Sequence, residues 1–234
     1  MDSGNQPLPV EIAQMIDVSA VRADSTDQMI ADAVACAERY GCYLVTTLPS
    51  QAAYTNRLLA ALPMIKLGGN VGFPSGGQTT RIKTLETSEL VTLGVDEVDM
   101  VIDVAALLSG RHKHVGQDIA AVVGAAQGRP VKVIFECHHL SDDQIREACD
   151  LAVEAGADYV KTGTGWAPTG ATLHNIALIQ EHVGKAIAIK ASGGIRDLET
   201  LRAMYQLGVR RFGIAAKHVP AVLGSHELLR RSGS

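Results

Sequence analysis

Two lysines stand at the ends of short β-rich runs, each followed at once by small residues: Lys161 in Tyr159-Val160-Lys161-Thr162-Gly163-Thr164-Gly165, and Lys190 in Ala186-Ile187-Ala188-Ile189-Lys190-Ala191-Ser192-Gly193-Gly194-Ile195-Arg196. A lysine at the end of a strand has a fixed backbone, and small neighbours leave room for a ligand to reach its amine. One such motif is weak, because strand-end lysines are commonly solvated charges. The second lies one strand-plus-helix unit later, so in a parallel sheet both amines emerge at the same end. Two ammonium groups held close repel, one of them loses its proton more easily, and a neutral amine near pH 7 attacks a carbonyl.

The elements that must position these lysines follow a regular alternation. Strands are expected at residues 14–19, 43–48, 67–73, 97–104, 131–136, around Lys161, around Lys190 and at 210–216. Between them run helical patterns. Ser25 or Thr26 can cap the first, whose Met29, Ile30, Ala33, Val34 and Ala37 recur at helical spacing before Gly41. Helices are also expected through the fifties to Leu62, at 79–93 and at 115–127. Ser141-Asp142-Asp143-Gln144 carries capping-box chemistry for one that ends at Gly156. Asp99 and Asp103 are expected on one face of the fourth strand, since a strand repeats every two residues. Eight such units without a linker or change of composition predict an α/β, single-domain (β/α)8 TIM barrel over residues 1–234, with the tail from about 230 frayed. An open doubly wound sheet is the competing architecture.

Composition narrows the partners. The 234 residues are 47% hydrophobic with a net charge of -4, enough for one large core, and lysine and arginine are scattered rather than striped. No nucleic acid or anionic membrane is expected as a partner. No apolar run approaches the roughly 20 residues of a membrane span, and the N-terminus lacks a secretion signal. The chain therefore reads as cytoplasmic. Cys36, Cys42, Cys137 and Cys149 show no metal-ligand spacing and are expected as reduced, mostly buried thiols. His138-His139 invites a metal reading, but adjacent strand residues face opposite ways; one partly buried and one solvated ring is expected. Trp166, directly after the lysine motif, either lines a pocket or packs under a loop.

The two lysine motifs, with Gly94-Val95-Asp96-Glu97-Val98-Asp99-Met100-Val101, resemble those of the deoxyribose-phosphate aldolases, class I aldolases on a (β/α)8 barrel. The resemblance extends from Met15-Ile16-Asp17 through Val71-Gly72-Phe73-Pro74 and Lys132-Val133-Ile134-Phe135-Glu136 to Arg211-Phe212-Gly213. It implies a lyase of deoxyribonucleotide and carbohydrate catabolism that needs no metal and no cofactor. In it, Lys161 forms the Schiff base, Lys190 lowers the pKa of Lys161, Asp99 holds a water and relays protons, and Asp17 orients the network. Thr46, Thr162, Thr164 and Gly213 are the accompanying substrate-side positions. Gly193, Gly194 and Arg196 are expected to receive a phosphate through backbone N–H groups and a helix N-terminus. Where the family usually carries serines after the eighth strand, this chain has Ala215 and Ala216, followed by Lys217. The implied reaction is reversible cleavage of 2-deoxy-D-ribose 5-phosphate to D-glyceraldehyde 3-phosphate and acetaldehyde. A different or unphosphorylated aldehyde, or a non-catalytic sugar-phosphate-binding barrel, are the alternatives, and the apolar helix faces would permit a homodimer.

Overall fold

A computed structural model of the chain describes residues 9–224. The expected frayed tail from about 230 lies outside the described residues. A short helix α1 (Pro9–Ala13) precedes β1 (Ile16–Ala20), and the chain then alternates: α2 (Asp27–Tyr40), β2 (Leu44–Thr47), α3 (Ala52–Leu59), β3 (Lys66–Val71), α4 (Thr80–Thr92), β4 (Glu97–Val101), α5 (Val104–Leu108), α6 (His112–Ala125), β5 (Val131–Ile134), α7 (Asp142–Glu154), β6 (Tyr159–Lys161), α8 (Leu173–Val183), β7 (Ala188–Ser192), α9 (Leu198–Gln206), β8 (Arg211–Ala215) and α10 (Val219–Leu223). The strands form a closed parallel barrel in chain order, sealed by β1 against β8 with Asp17 opposite Gly213. The barrel, not the open doubly wound sheet, is the architecture.

Local chemistry accounts for the helix ends. Thr26 accepts from Met29 N to start α2, and Gly41 closes it in the left-handed region at φ 67°. Ser141 and Gln144 form a reciprocal capping box at α7. Several strands are shorter than their apolar runs suggested, because pairing stops where the chain leaves the barrel wall. The first starts at Ile16, since α1 and its closing turn take up Gln14 and Met15. The fourth ends at Val101, which corrects the two-acid reading: Asp103 lies off the strand and caps α5 by accepting from Ala106 N.

Alternation along the strands divides core from cavity. Val18, Val45, Val98, Met100, Val133, Val160, Ile189, Ala191 and Phe212 are buried, on the face of the wall opposite the interior charges, in the one core cluster that includes helix residues Ile30, Ile119, Ile145, Ile176 and Leu201. The opposite parity carries Asp17, Thr46, Asn70, Glu97, Asp99, Lys132, Lys161, Lys190 and Arg211, all buried. The paired register of these residues across β3 to β8 puts them on one inner surface. A further buried pair lies outside the barrel wall, where Lys83 of α4 donates to Asp118 of α6 at 2.5 Å and to the Val101 carbonyl at 2.9 Å.

Candidate active site

The barrel interior holds three carboxylates and four cations. Lys161 ends β6 and Lys190 sits opposite it in register on β7. Both donate to one oxygen of Asp99, each at 2.7 Å, while Lys132 donates to the other at 2.7 Å. Lys190 also reaches Asp17 at 2.5 Å, and Lys132 also reaches Glu97 at 2.7 Å. Arg211 donates to Glu97 at 2.6 Å, lies 3.5 Å from Asp17, and is stacked over Tyr43 with 4.0 Å to the ring centre.

Counting partners sets Lys161 apart from the other three cations. Lys132, Lys190 and Arg211 each face two or three carboxylates, whereas Lys161 has Asp99 alone. With Lys161 neutral, three anions balance three cations, so the low-dielectric interior carries no net charge. Burial pulls the Lys161 amine down; Asp99 opposes this, and Lys190 and then Lys132 lower it further, to a pKa of about 8. Desolvation is thus the leading cause, and the neighbouring ammonium expected from sequence adds to it. Burial alone would raise the Asp99 pKa, but Lys132, Lys161 and Lys190 hold it well below the usual carboxylate range. Lys132 is likewise penalised by burial, and Asp99, Asp17 and Glu97 reverse that and raise it. An amine near pKa 8 beside a carboxylate held below its ordinary range and a second lysine can attack a carbonyl and have protons delivered and removed around it.

The remaining expected residues surround the same mouth. Thr46 accepts from Asn70 Nδ2 at 2.8 Å on the inner face of β2. Thr162 and Thr164 have their hydroxyls engaged by the scaffold: Thr162 donates to the Ser192 carbonyl at 2.9 Å and accepts from Ser192 N, while Thr164 donates to Glu136 and accepts from Trp166 N. Gly213 is required by close approach, since a Cβ there would stand 2.5 Å from Ser192 Oγ and 3.5 Å from Lys190 Cε. Gly193 (φ 88°) packs back to back with Gly170, where a Cβ would come within 2.6 Å of Gly193 Cα, stitching the loop after β6 to the loop after β7. Gly194 has the same φ. Arg196 and Lys217 are exposed at the rim. Beside them the His218 imidazole is pulled below its ordinary pKa by desolvation, then by Lys217 and Arg196.

Two expectations change. The N-terminus of α9 is occupied by its own cap, because the Asp197 carboxylate accepts from Thr200 N at 2.7 Å. An anion bound at Gly193 and Gly194 would share that helix end with the Asp197 carboxylate. His138 and His139 lie in a 3-10 turn, and both are exposed, with His138 Nδ1 2.7 Å from Thr169 Oγ1. Among the described residues no group of three or more His, Cys, Asp and Glu side chains is arranged to hold a metal ion. The four cysteines are unpaired thiols, and burial pushes all four up, Cys36 to about 11.

Sequence reasoning missed Glu97, Lys132 and Arg211 as members of the network. The available signal was parity: each is a charge placed among apolar residues in a barrel strand, which only an inward-facing polar surface explains. Glu136 was missed without such a signal. It is buried at φ 54°, a conformation rare outside glycine, and accepts from Thr164 N at 3.2 Å.

Known proteins resemble this chain in sequence and in fold. The pattern of the DeoC/LacD family of aldolases matches residues 3–215. The deoxyribose-phosphate aldolase of Klebsiella pneumoniae is 46% identical over 92% of the chain and 87% of its own length, and that of Rhizobium meliloti is 44% identical over 88% and 83%. Among solved structures, the aldolase QR15 superposes with a TM-score of 0.85 at 31% identity, covering 91% of this chain and 94% of its own. A tetrameric deoxyribose-phosphate aldolase from Aeropyrum pernix gives 0.85 at 27%, covering 93% and 92%. With the match running through every strand that contributes to the charged interior, the chain belongs to the DeoC/LacD family of aldolases.

Proposed function

We propose that the chain cleaves 2-deoxy-D-ribose 5-phosphate reversibly through an imine on Lys161. The observation that carries this reading is that Lys161 is the one cation of the interior network with a single carboxylate partner, and burial there lowers its pKa to about 8. The neutral Nζ attacks the aldehyde carbon C1, and loss of water leaves a protonated imine. A base removes the proton of the C3 hydroxyl, the C2–C3 bond breaks, and C3 departs as the aldehyde carbon of D-glyceraldehyde 3-phosphate while the electron pair is stored as the C2 enamine. Protonation at C2 and hydrolysis of the imine release acetaldehyde and regenerate the amine. Asp99, through a water it shares with Lys190, is assigned the proton transfers, and Asp17 holds Lys190 in place. Gly193 and Gly194 amides, with Lys217 and Arg196 at the rim, are assigned the phosphate; Thr46 and Gly213 shape the wall, and Thr162 and Thr164 hold the loop that follows the nucleophile. The partner is thus a small sugar phosphate. The cytoplasm is proposed as its place of action, in keeping with four unpaired thiols; among the described residues no helix is long and apolar enough to cross a membrane.

Ala215 and Ala216, which bring methyl groups to the rim, favour a second reading in which the same imine accepts an unphosphorylated aldehyde. Borohydride reduction in the presence of 2-deoxyribose 5-phosphate, followed by mass spectrometry, tests both. A reduced adduct on the Lys161 peptide, abolished in Lys161→Leu, is the expected result. Adducts formed only with free aldehydes would move the assignment to the second reading, and no adduct with any aldehyde would remove the catalytic one.

A further inference from the structure

Trp166, the only tryptophan of the chain, crosses the barrel mouth. Its indole Nε1 donates to the Val21 carbonyl at 3.0 Å, on the loop after β1. Its ring meets Phe73, on the loop after β3, edge-on at 6.1 Å between centroids and 83° between planes. Around the closed barrel the short way from β6 to β1 passes through β7 and β8. The indole therefore forms a chord that leaves the loops carrying Gly193, Gly194 and Lys217 on one side and those after β4 and β5 on the other. Both ends of the chord are pinned. Trp166 N donates to Thr164 Oγ1 at 3.0 Å, Thr164 is itself bonded to buried Glu136, and Arg22 N donates to Ser25 Oγ at 3.1 Å.

Arg22 lies over this chord with its Cζ 4.5 Å from the indole centroid. Its side chain is exposed, and no carboxylate among the described residues pairs with it. A guanidinium stacked on an aromatic face keeps its N–H edge free in the plane, the edge that matches two oxygens of a phosphate. Trp166, 36% exposed, keeps one surface toward solvent. Lys161, 4% exposed, ends the strand that leads into the loop carrying the indole.

We propose that Arg22, carried on Trp166, is a specificity-determining cation for the phosphomonoester end of the substrate, and that Trp166 is the strap defining the sector in which that phosphate sits. The proposal rests on the sugar-phosphate reading and adds to it a contact built from the loops after β1 and β6.

The indole reports on this directly, since no other tryptophan contributes to its emission. Titration of the whole chain with D-glyceraldehyde 3-phosphate is expected to change Trp166 fluorescence saturably, and D-glyceraldehyde at equal concentration is expected to leave it unchanged. Arg22→Gln should weaken the midpoint by about five- to tenfold, the scale of one charge-assisted contact near solvent. In turnover it should raise KM for 2-deoxyribose 5-phosphate by a similar factor with kcat changed less than about twofold. Trp166→Phe, which keeps a ring for Arg22 and removes the Nε1 donor, should weaken KM less than Trp166→Ala. Equal responses to the two aldehydes, or an unchanged midpoint in Arg22→Gln, would overturn the proposal. The titration needs no catalysis, so an absent Lys161 adduct with a phosphate-selective fluorescence change counts against the aldolase reading alone.

Discussion

Asp99 accepts from three lysine amines, and it is the one carboxylate that Lys161 meets. Turnover is expected to rise with pH through about 8 as Lys161 loses its proton. Lys190→Met removes a cation that lowers the Lys161 pKa and leaves Asp99 less opposed, so the acidic limb of the kcat profile should move to higher pH. At pH 7 the fraction of neutral amine falls, and kcat should drop by about 10- to 100-fold, with partial recovery at pH 9. A pH series on wild type and variant checks this; a uniform loss at every pH would mean that Lys190 acts only through structure. That both lysines matter was legible in their motifs. What sets the two apart in the structure is the number of carboxylates each meets, one for Lys161 and two for Lys190, and those arrive from β1 and β4 across the barrel.

Helices and strands were legible to different degrees. The caps at Thr26, Gly41 and Ser141 are local hydrogen-bonding chemistry and appear where the residues indicated. Strand ends were less readable, because hydrophobicity continues past the last strand residue, as at Ile102 and Phe135, whose N–H groups still bond to Ile134 and Lys161 of the next strand. Asp103 illustrates the consequence. As an N-cap it should cost about 1 kcal/mol when changed to Ala, with turnover per folded molecule unchanged. Asp118→Ala should cost more, roughly 3–5 kcal/mol, because it strands the buried Lys83 ammonium between α4 and α6. Urea denaturation of the two variants gives the ranking, and a smaller loss for Asp118→Ala than for Asp103→Ala would contradict it. The contrast separates a half-buried cap from a charge that folding has desolvated.

For the whole molecule, a charged interior makes stability depend on pH in a definite direction. Asp99 and Glu97 are held below their ordinary pKa by the cations they face after burial is overcome. Their contribution is therefore complete above the unfolded carboxylate values and is lost as pH falls below about 4, where the unfolded chain takes up protons that the folded one refuses. The denaturation midpoint is expected to fall steeply there; a flat midpoint down to about pH 2 would refute the network as a stabilising unit. By itself the amino-acid sequence determined the eightfold alternation, the helix caps, the two lysine motifs and the family resemblance they carry, because periodicity, capping and short motifs each span only a few residues. Only the tertiary structure showed that burial is the leading cause lowering the Lys161 pKa, that Glu97, Lys132 and Arg211 complete the balance, and that Trp166 reaches Val21. Those outcomes depend on burial and on Coulomb partners far apart in the chain: Lys161 meets Asp99 across 62 residues, Trp166 meets Val21 across 145, and Lys190 meets Asp17 across 173. Closure of the barrel brings them within hydrogen-bonding distance.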